Sequence, residues 1–161
     1  MYTGVGYMQQ DFEYVGDPIM QYSPSGMSGY DYRGNGTAGI TYDTTYSMLY
    51  FLLGADVQMT QQFNLSGRFS VAPLASAEDE LHHLLRNKVS TGDMDGTAYM
   101  FKVSGNYRFV PWCFMEVGFQ HTNISVDGEQ QQVMAGQALG RIDMEVVSEQ
   151  SSGYITMGYS F

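Results

Sequence analysis

Three histidines occur in this 161-residue chain, and two of them stand in the acidic run Glu78-Asp79-Glu80-Leu81-His82-His83-Leu84-Leu85-Arg86. Carboxylate beside imidazole is the pairing that general-base chemistry needs. The acid orients the ring and stabilises its protonated form, while the free nitrogen takes a proton from water. A charged stretch of this kind is also what an ordinary solvated surface looks like, so these residues define a candidate and not yet a mechanism. Histidine and carboxylate ligate first-row metals as well, but adjacent histidines in a flexible segment do not specify a site, and no metal is expected. No nucleophile elbow, phosphate-cradling glycine loop, zinc helix motif or calcium loop occurs in the chain. Cys113 is the single cysteine and allows no internal disulfide. Lying between Trp112 and Phe114 at a strand start, it reads as packing rather than as a nucleophile.

Strands must position these residues. The segment Ser152 to Phe161 alternates strictly, with Ile155, Met157, Tyr159 and Phe161 on one face and small or polar residues on the other. Period-2 alternation places the two sets on opposite sides of a sheet. A terminal aromatic on the apolar side suits the interfacial girdle of an outer-membrane barrel. Five further strands are predicted, at Tyr2 to Val15, Gly39 to Met59, Gln62 to Pro73, Thr97 to Val110 and Cys113 to Val126. In the third, Phe63, Leu65, Phe69 and Val71 oppose Asn64, Ser66, Arg68 and Ser70. The fourth sets Tyr99, Phe101, Val103, Tyr107 and Phe109 against Lys102, Ser104, Asn106 and Arg108. In the fifth, Met115, Val117 and Phe119 point outward, and Glu116 and Gln120 inward. Basic residues thus fall on the polar side, where they avoid the roughly 2 to 4 kcal/mol that arginine costs on a lipid-facing midplane. The expectation is an all-β, antiparallel transmembrane β-barrel whose apolar side meets acyl chains and whose hydrophilic side lines a wet interior. A secreted soluble sandwich would alternate too, with its polar side to water and its apolar side to a second sheet.

Composition agrees with a barrel. Thirteen Tyr, 19 Gly, 4 Pro and 15% charged residues make the chain richer in Tyr and Gly and poorer in charge than an average soluble domain. The longest apolar run, Met48 to Ala55, is far short of the roughly 20 residues of a spanning helix, which excludes a helical membrane protein. Seven Lys and Arg against a net charge of -10 disfavour nucleic acid as a partner, and none is expected. Nothing at the start reads as a secretory signal, so either a signal has been removed or the chain begins inside a longer one.

The joins around residues 59–62 and 110–112 are predicted to be tight. Those at Asp17 to Ala38, Ser76 to Gly96 and Asp127 to Gln150 are predicted to run to roughly twenty residues each. Alternation of short and long joins is the asymmetry of outer-membrane barrels, short turns inside and long loops outside. About six strands are fewer than the eight at which single-chain barrels begin, and two open edges would leave backbone groups unpaired. The chain is therefore expected to be one domain, residues 1–161, forming the C-terminal part of a larger barrel. Hidden strands, for example at Arg141 to Ser148, or closure by oligomerisation are the alternatives.

The order of these features resembles the omptins, ten-stranded outer-membrane endoproteases of Gram-negative bacteria. The stretch Gly6-Tyr7-Met8-Gln9-Gln10-Asp11-Phe12-Glu13-Tyr14 is similar to an omptin strand running up into a loop, and residues 36–50 to the tyrosine-rich strand that returns. The acidic, His-bearing segment follows where omptins keep an Asp-x-His pair, and Val117-Gly118-Phe119 and the final Phe fall in order after it. The resemblance implies an outer-membrane endopeptidase that cleaves peptide or protein substrates near basic residues at the cell surface, with long loops outside. It implies no cofactor beyond a dependence on lipopolysaccharide. His82, or His83 by its downstream spacing, would be the base and Glu80 the orienting acid, with Glu78 and Asp79 at the pocket for a basic side chain. Glu stands where the family has Asp. The opposing aspartate pair has no equivalent, since Asp93 and Asp95 belong to the same segment as the histidines, so the chain carries half an active site at most. The second expectation is a non-enzymatic small outer-membrane barrel, of adhesion or surface-defence type, that binds partners through acidic loops.

Overall fold

The computed structural model describes residues 1–16, 20–21, 32–33, 38–84 and 87–159. Six long strands form one antiparallel sheet: β1 (Tyr2–Gly16), β4 (Ile40–Gln58), β5 (Phe63–His83), β6 (Lys88–Val110), β7 (Cys113–Met134) and β8 (Gln137–Tyr159), in that spatial order. β2 (Met20–Gln21) and β3 (Tyr32–Arg33) pair with each other in a separate two-stranded ladder. That ladder belongs to the first predicted long connection, whose remaining residues lie mostly outside the described ones. The sheet curls into a half-barrel with β1 and β8 as its edges. Across its concave side the Gln150 amide of β8 donates to Gln10 Oε1 of β1 at 3.3 Å.

Each turn has a local cause. Between β4 and β5, Thr60 Oγ1 accepts from the backbone N–H groups of Gln62 and Phe63 at 3.2 and 3.0 Å, a side-chain bond that closes the turn. Between β6 and β7, Pro111 supplies the fixed φ that suits the first central position of a two-residue turn. Between β7 and β8, Ala135 and Gly136 both have positive φ, 50° and 80°, the mirror-image turn whose twist matches the flanking strands.

Two predicted long connections, 76–96 and 127–150, are strand instead. β5 continues to His83 and β6 begins at Lys88, and β7 and β8 run to the turn at Ala135–Gly136. Arg141 to Ser148 is strand, as the hidden-strand alternative had it, but within β8 and not as an additional strand. These segments read as loops because Asp, Glu, Gly, Gln and Ser are depleted in strands. Period-2 burial nonetheless runs through much of them: Ala77, Asp79, Met94 and Gln130 are buried, while Glu78, Glu80, Asp93, Asp95, Asp127 and Glu129 are exposed.

The faces exchange polarity partway up the sheet. In the lower half, towards residues 63, 110, 113 and 159, the convex face carries Phe51, Leu53, Phe69, Val71, Phe101, Val103, Val117, Phe119, Ile155 and Met157, all exposed. The concave face there carries Arg68, Lys102, Glu116, Gln120 and Tyr154. In the upper half the convex face is acidic, and the concave face holds a dry cluster of Tyr46, Met48, Ala72, Ala75, Ala77, Met94, Ala98, Ile124 and Val126. Charged and polar side chains thus line the concave face in the lower half, and an apolar cluster lines it in the upper half. Small side chains let the strands curl over this cluster. A methyl group on Gly96 or Gly128 would collide with the backbone carbonyl of Ser125 or Asp93 respectively.

Candidate functional site

A β-bulge in β5 decides where the acidic, His-bearing segment points. Pairing with β4 runs from Val71–Phe51 to Leu74–Leu49, and pairing with β6 from Ala72–Ala98 to Ala75–Gly96. One extra residue is thus inserted at Pro73-Leu74. Proline cannot donate to the ladder, which is why such an insertion tolerates it. Below the bulge odd-numbered residues of β5 face outward; above it even-numbered ones do. The five predicted site residues are split accordingly. Glu78, Glu80 and His82 share the convex face, whereas Asp79 and His83 belong to the concave set.

On the convex face His82 Nε2 and Glu80 Oε1 are in hydrogen-bond contact. The sequence spacing i, i+2 brings them together, because residues two apart on a strand are neighbours on one face. Glu80 stands opposite Asp43 of β4, and Glu78 opposite Asp93 of β6. Further carboxylates extend across the sheet: Glu13 opposes Asp43, Asp93 opposes Glu129, Asp95 opposes Asp127, Asp127 opposes Glu145, and Glu129 opposes Asp143. Among the described residues, Arg141 forms the one Lys or Arg ion pair in this tier, to Glu129 at 3.0 Å. Like charges directly opposite each other destabilise a sheet. No group of three His, Cys, Asp or Glu among the described residues is placed to hold a metal ion.

Asp79 lies on the other side, 5% exposed. Its Oδ2 accepts from the Gln130 amide of β7 at 3.3 Å, and a bond from the Gly92 backbone also reaches the carboxylate. A Cβ at position 92 would strike Asp79 Oδ1, so the glycine leaves the space that this carboxylate occupies. Burial holds the Asp79 carboxyl above the usual carboxylate range, against the lowering effect of those two bonds, and the charge of Asp93 adds to the rise. Among the described residues, no hydrogen-bond partner reaches the buried atoms Asp79 Oδ1, Thr44 Oγ1 and Ser90 Oγ. Thr44 is the direct neighbour of Asp79 on β4. Sequence reasoning missed Gln130, Thr44, Ser90 and Gly92; Pro73, inside an alternating run, was the available sign that the faces change over.

Chemically, the Glu80–His82 pair can orient an imidazole and accept a proton. It does so on an open convex surface, and the acids beside it, Asp43, Asp93 and Asp95, lie on that same wall. The buried Asp79 faces away from both. Neither the models of known protein families nor the curated proteins include a match to this chain.

Proposed function

We propose that this chain forms part of the wall of a non-enzymatic β-barrel in the outer membrane of a Gram-negative bacterium. In this reading the lower convex face lies in the hydrocarbon, and the upper, acid-covered tier stands above it and meets partners. The observation that carries the reading is the apolar convex belt. On β6 it runs from Tyr99 to Phe109, matching the roughly 9 to 11 residues with which a tilted strand crosses a bilayer. Tyr7 and Tyr99 lie towards its upper margin, and Tyr107, Trp112 and Tyr159 towards its lower one, as interfacial aromatic girdles would. Trp112 and Tyr159 are in ring contact at 5.3 Å. A soluble sheet would cover these side chains with a second layer, yet Phe69, Phe101 and Met157 are 49, 40 and 70% exposed. Among the described residues the edges of β1 and β8 are unpaired and call for further strands in hydrocarbon, which a larger barrel supplies. The chain should refold only with detergent or lipid and migrate differently on gels when unboiled. Refolding to a monodisperse species in plain buffer would reject the reading.

The Glu80–His82 contact favours a second reading, an omptin-like surface endopeptidase with lipopolysaccharide as its lipid partner. His82 would then be the base and Glu80 its orienting acid. In the full-length protein His82→Ala should abolish cleavage of basic peptides, and His83→Ala should spare it. Near-wild-type cleavage by both variants ends that reading.

A further inference from the structure

On the lower concave face Arg68 and Lys102 stand together, and among the described residues no carboxylate pairs with either. Arg68 and Lys102 are directly opposite each other on β5 and β6, and both line a pocket of about 180 Å³ together with Ser70, Gln120 and Tyr50. Among the described residues neither makes an ion pair. Neutral tyrosines hold them instead: Arg68 Nε donates to Tyr2 Oη at 2.8 Å and its guanidinium lies 5.8 Å from the Tyr2 ring centre. Lys102 Nζ lies 4.6 Å from the ring centre of Tyr154. Glu116, on the same face, accepts from the Tyr154 hydroxyl at 2.5 Å.

Two like charges facing each other across a ladder repel, and a concave, partly apolar surround strengthens that repulsion by lowering the local dielectric. The Tyr2 bond uses Arg68 Nε, leaving the two terminal nitrogens of the guanidinium for an acceptor. A guanidinium presented this way takes a planar or tetrahedral oxyanion in bidentate fashion, with the ammonium as a second point charge. Ser70, largely buried, and Gln120 offer neutral polar groups on the same wall. From this we infer that the lower concave pocket binds a phosphate-type oxyanion between Arg68 and Lys102. The ligand is either free phosphate or the headgroup phosphate of a lipid.

Refolded protein in neutral maltoside micelles is titrated with inorganic phosphate at constant ionic strength, against chloride, with thermal unfolding followed by Trp112 fluorescence. A ligand that binds only the folded state raises the midpoint with its concentration. The expected result is a phosphate-specific rise that needs about tenfold or more additional phosphate in Arg68→Gln and in Lys102→Gln, the loss of one charge-assisted bond. Arg108→Gln, remote from the pocket, should behave as wild type. A rise in micelles doped with phosphatidylglycerol but not with free phosphate assigns the oxyanion to a headgroup. Phosphorus NMR line broadening of inorganic phosphate or of the headgroup by the wild type, relieved by sulfate, reads binding even where a variant does not refold. No rise and no broadening with either source, or an undiminished rise in Lys102→Gln, overturns the inference. Because the assay requires only the folded sheet, its failure would leave the membrane reading standing.

Discussion

Ile124 tests the least expected feature of the fold, an apolar cluster on the concave face above a charged one. Its side chain is 0% exposed, within the cluster that includes Met48, Ala98 and Val126. Ile124→Ala removes three carbons; at about 0.8 kcal/mol for each buried methylene the transfer loss is roughly 2.4 kcal/mol. Incomplete collapse of the resulting cavity brings the total to about 3 to 4 kcal/mol, inside the range of such truncations in cores. That is a change of more than a hundredfold in the unfolding equilibrium. Urea unfolding in detergent micelles, followed by Trp112 fluorescence, measures it. Val147→Ala, a truncation on the exposed convex surface of β8, should stay within about 0.5 kcal/mol. A loss below about 1 kcal/mol for Ile124→Ala, with Val147→Ala indistinguishable from it, would mean that water reaches the upper concave face and that its packing does not hold the sheet in its curl.

The buried carboxyl of Asp79, above the apolar belt, sets a pH dependence. Its folded-state pKa is raised, chiefly by burial, so the stability it lends is complete below the unfolded value near 3.9 and is lost as pH rises through the folded value. Asp79→Asn does not titrate, and should therefore gain on wild type between about pH 4 and neutrality; a difference that is flat in pH, or grows in favour of wild type, contradicts this. Gly128→Ala places a methyl group against the β6 backbone at Asp93 and Met94 and should cost about 1 to 3 kcal/mol. Gly153→Ala meets only the Gly118 carbonyl at 3.8 Å and should be close to neutral in the same unfolding assay. Equal losses for the two would show that close strand approach at Gly128 is not what that glycine serves.

Below Pro73 the sequence was legible because each strand there pairs large apolar residues with polar ones. Phe69 and Phe101 came out on one face and Arg68 and Lys102 on the other, and the tight turns at 59–62 and 111–112 fall where they were expected. Above Pro73 the same period continues in residues that form strands poorly in isolation. Ala75 and Ala77 are too small, and Glu78 and Glu80 too polar, to outweigh local propensity until neighbouring strands cover one side of them. Contact between Glu80 and His82 was visible in their spacing. The meeting of Asp79 with Gln130 was not, since it depends on a register carried across β6 and on the one-residue insertion in β5.

The central claim is that the lower convex face is solvated by lipid. Single cysteines at Phe69, Phe101 and Met157 in the belt, and at Asp43, Asp93 and Glu145 in the acidic tier, can be placed in a Cys113→Ser background. They are then labelled with a small fluorophore and refolded into vesicles of brominated phosphatidylcholine. The account predicts strong quenching by the lipid bromines at the three belt positions and little at the three acidic ones, with the reverse order for aqueous iodide. Belt labels protected from both quenchers would place these side chains inside a dry protein layer and contradict it.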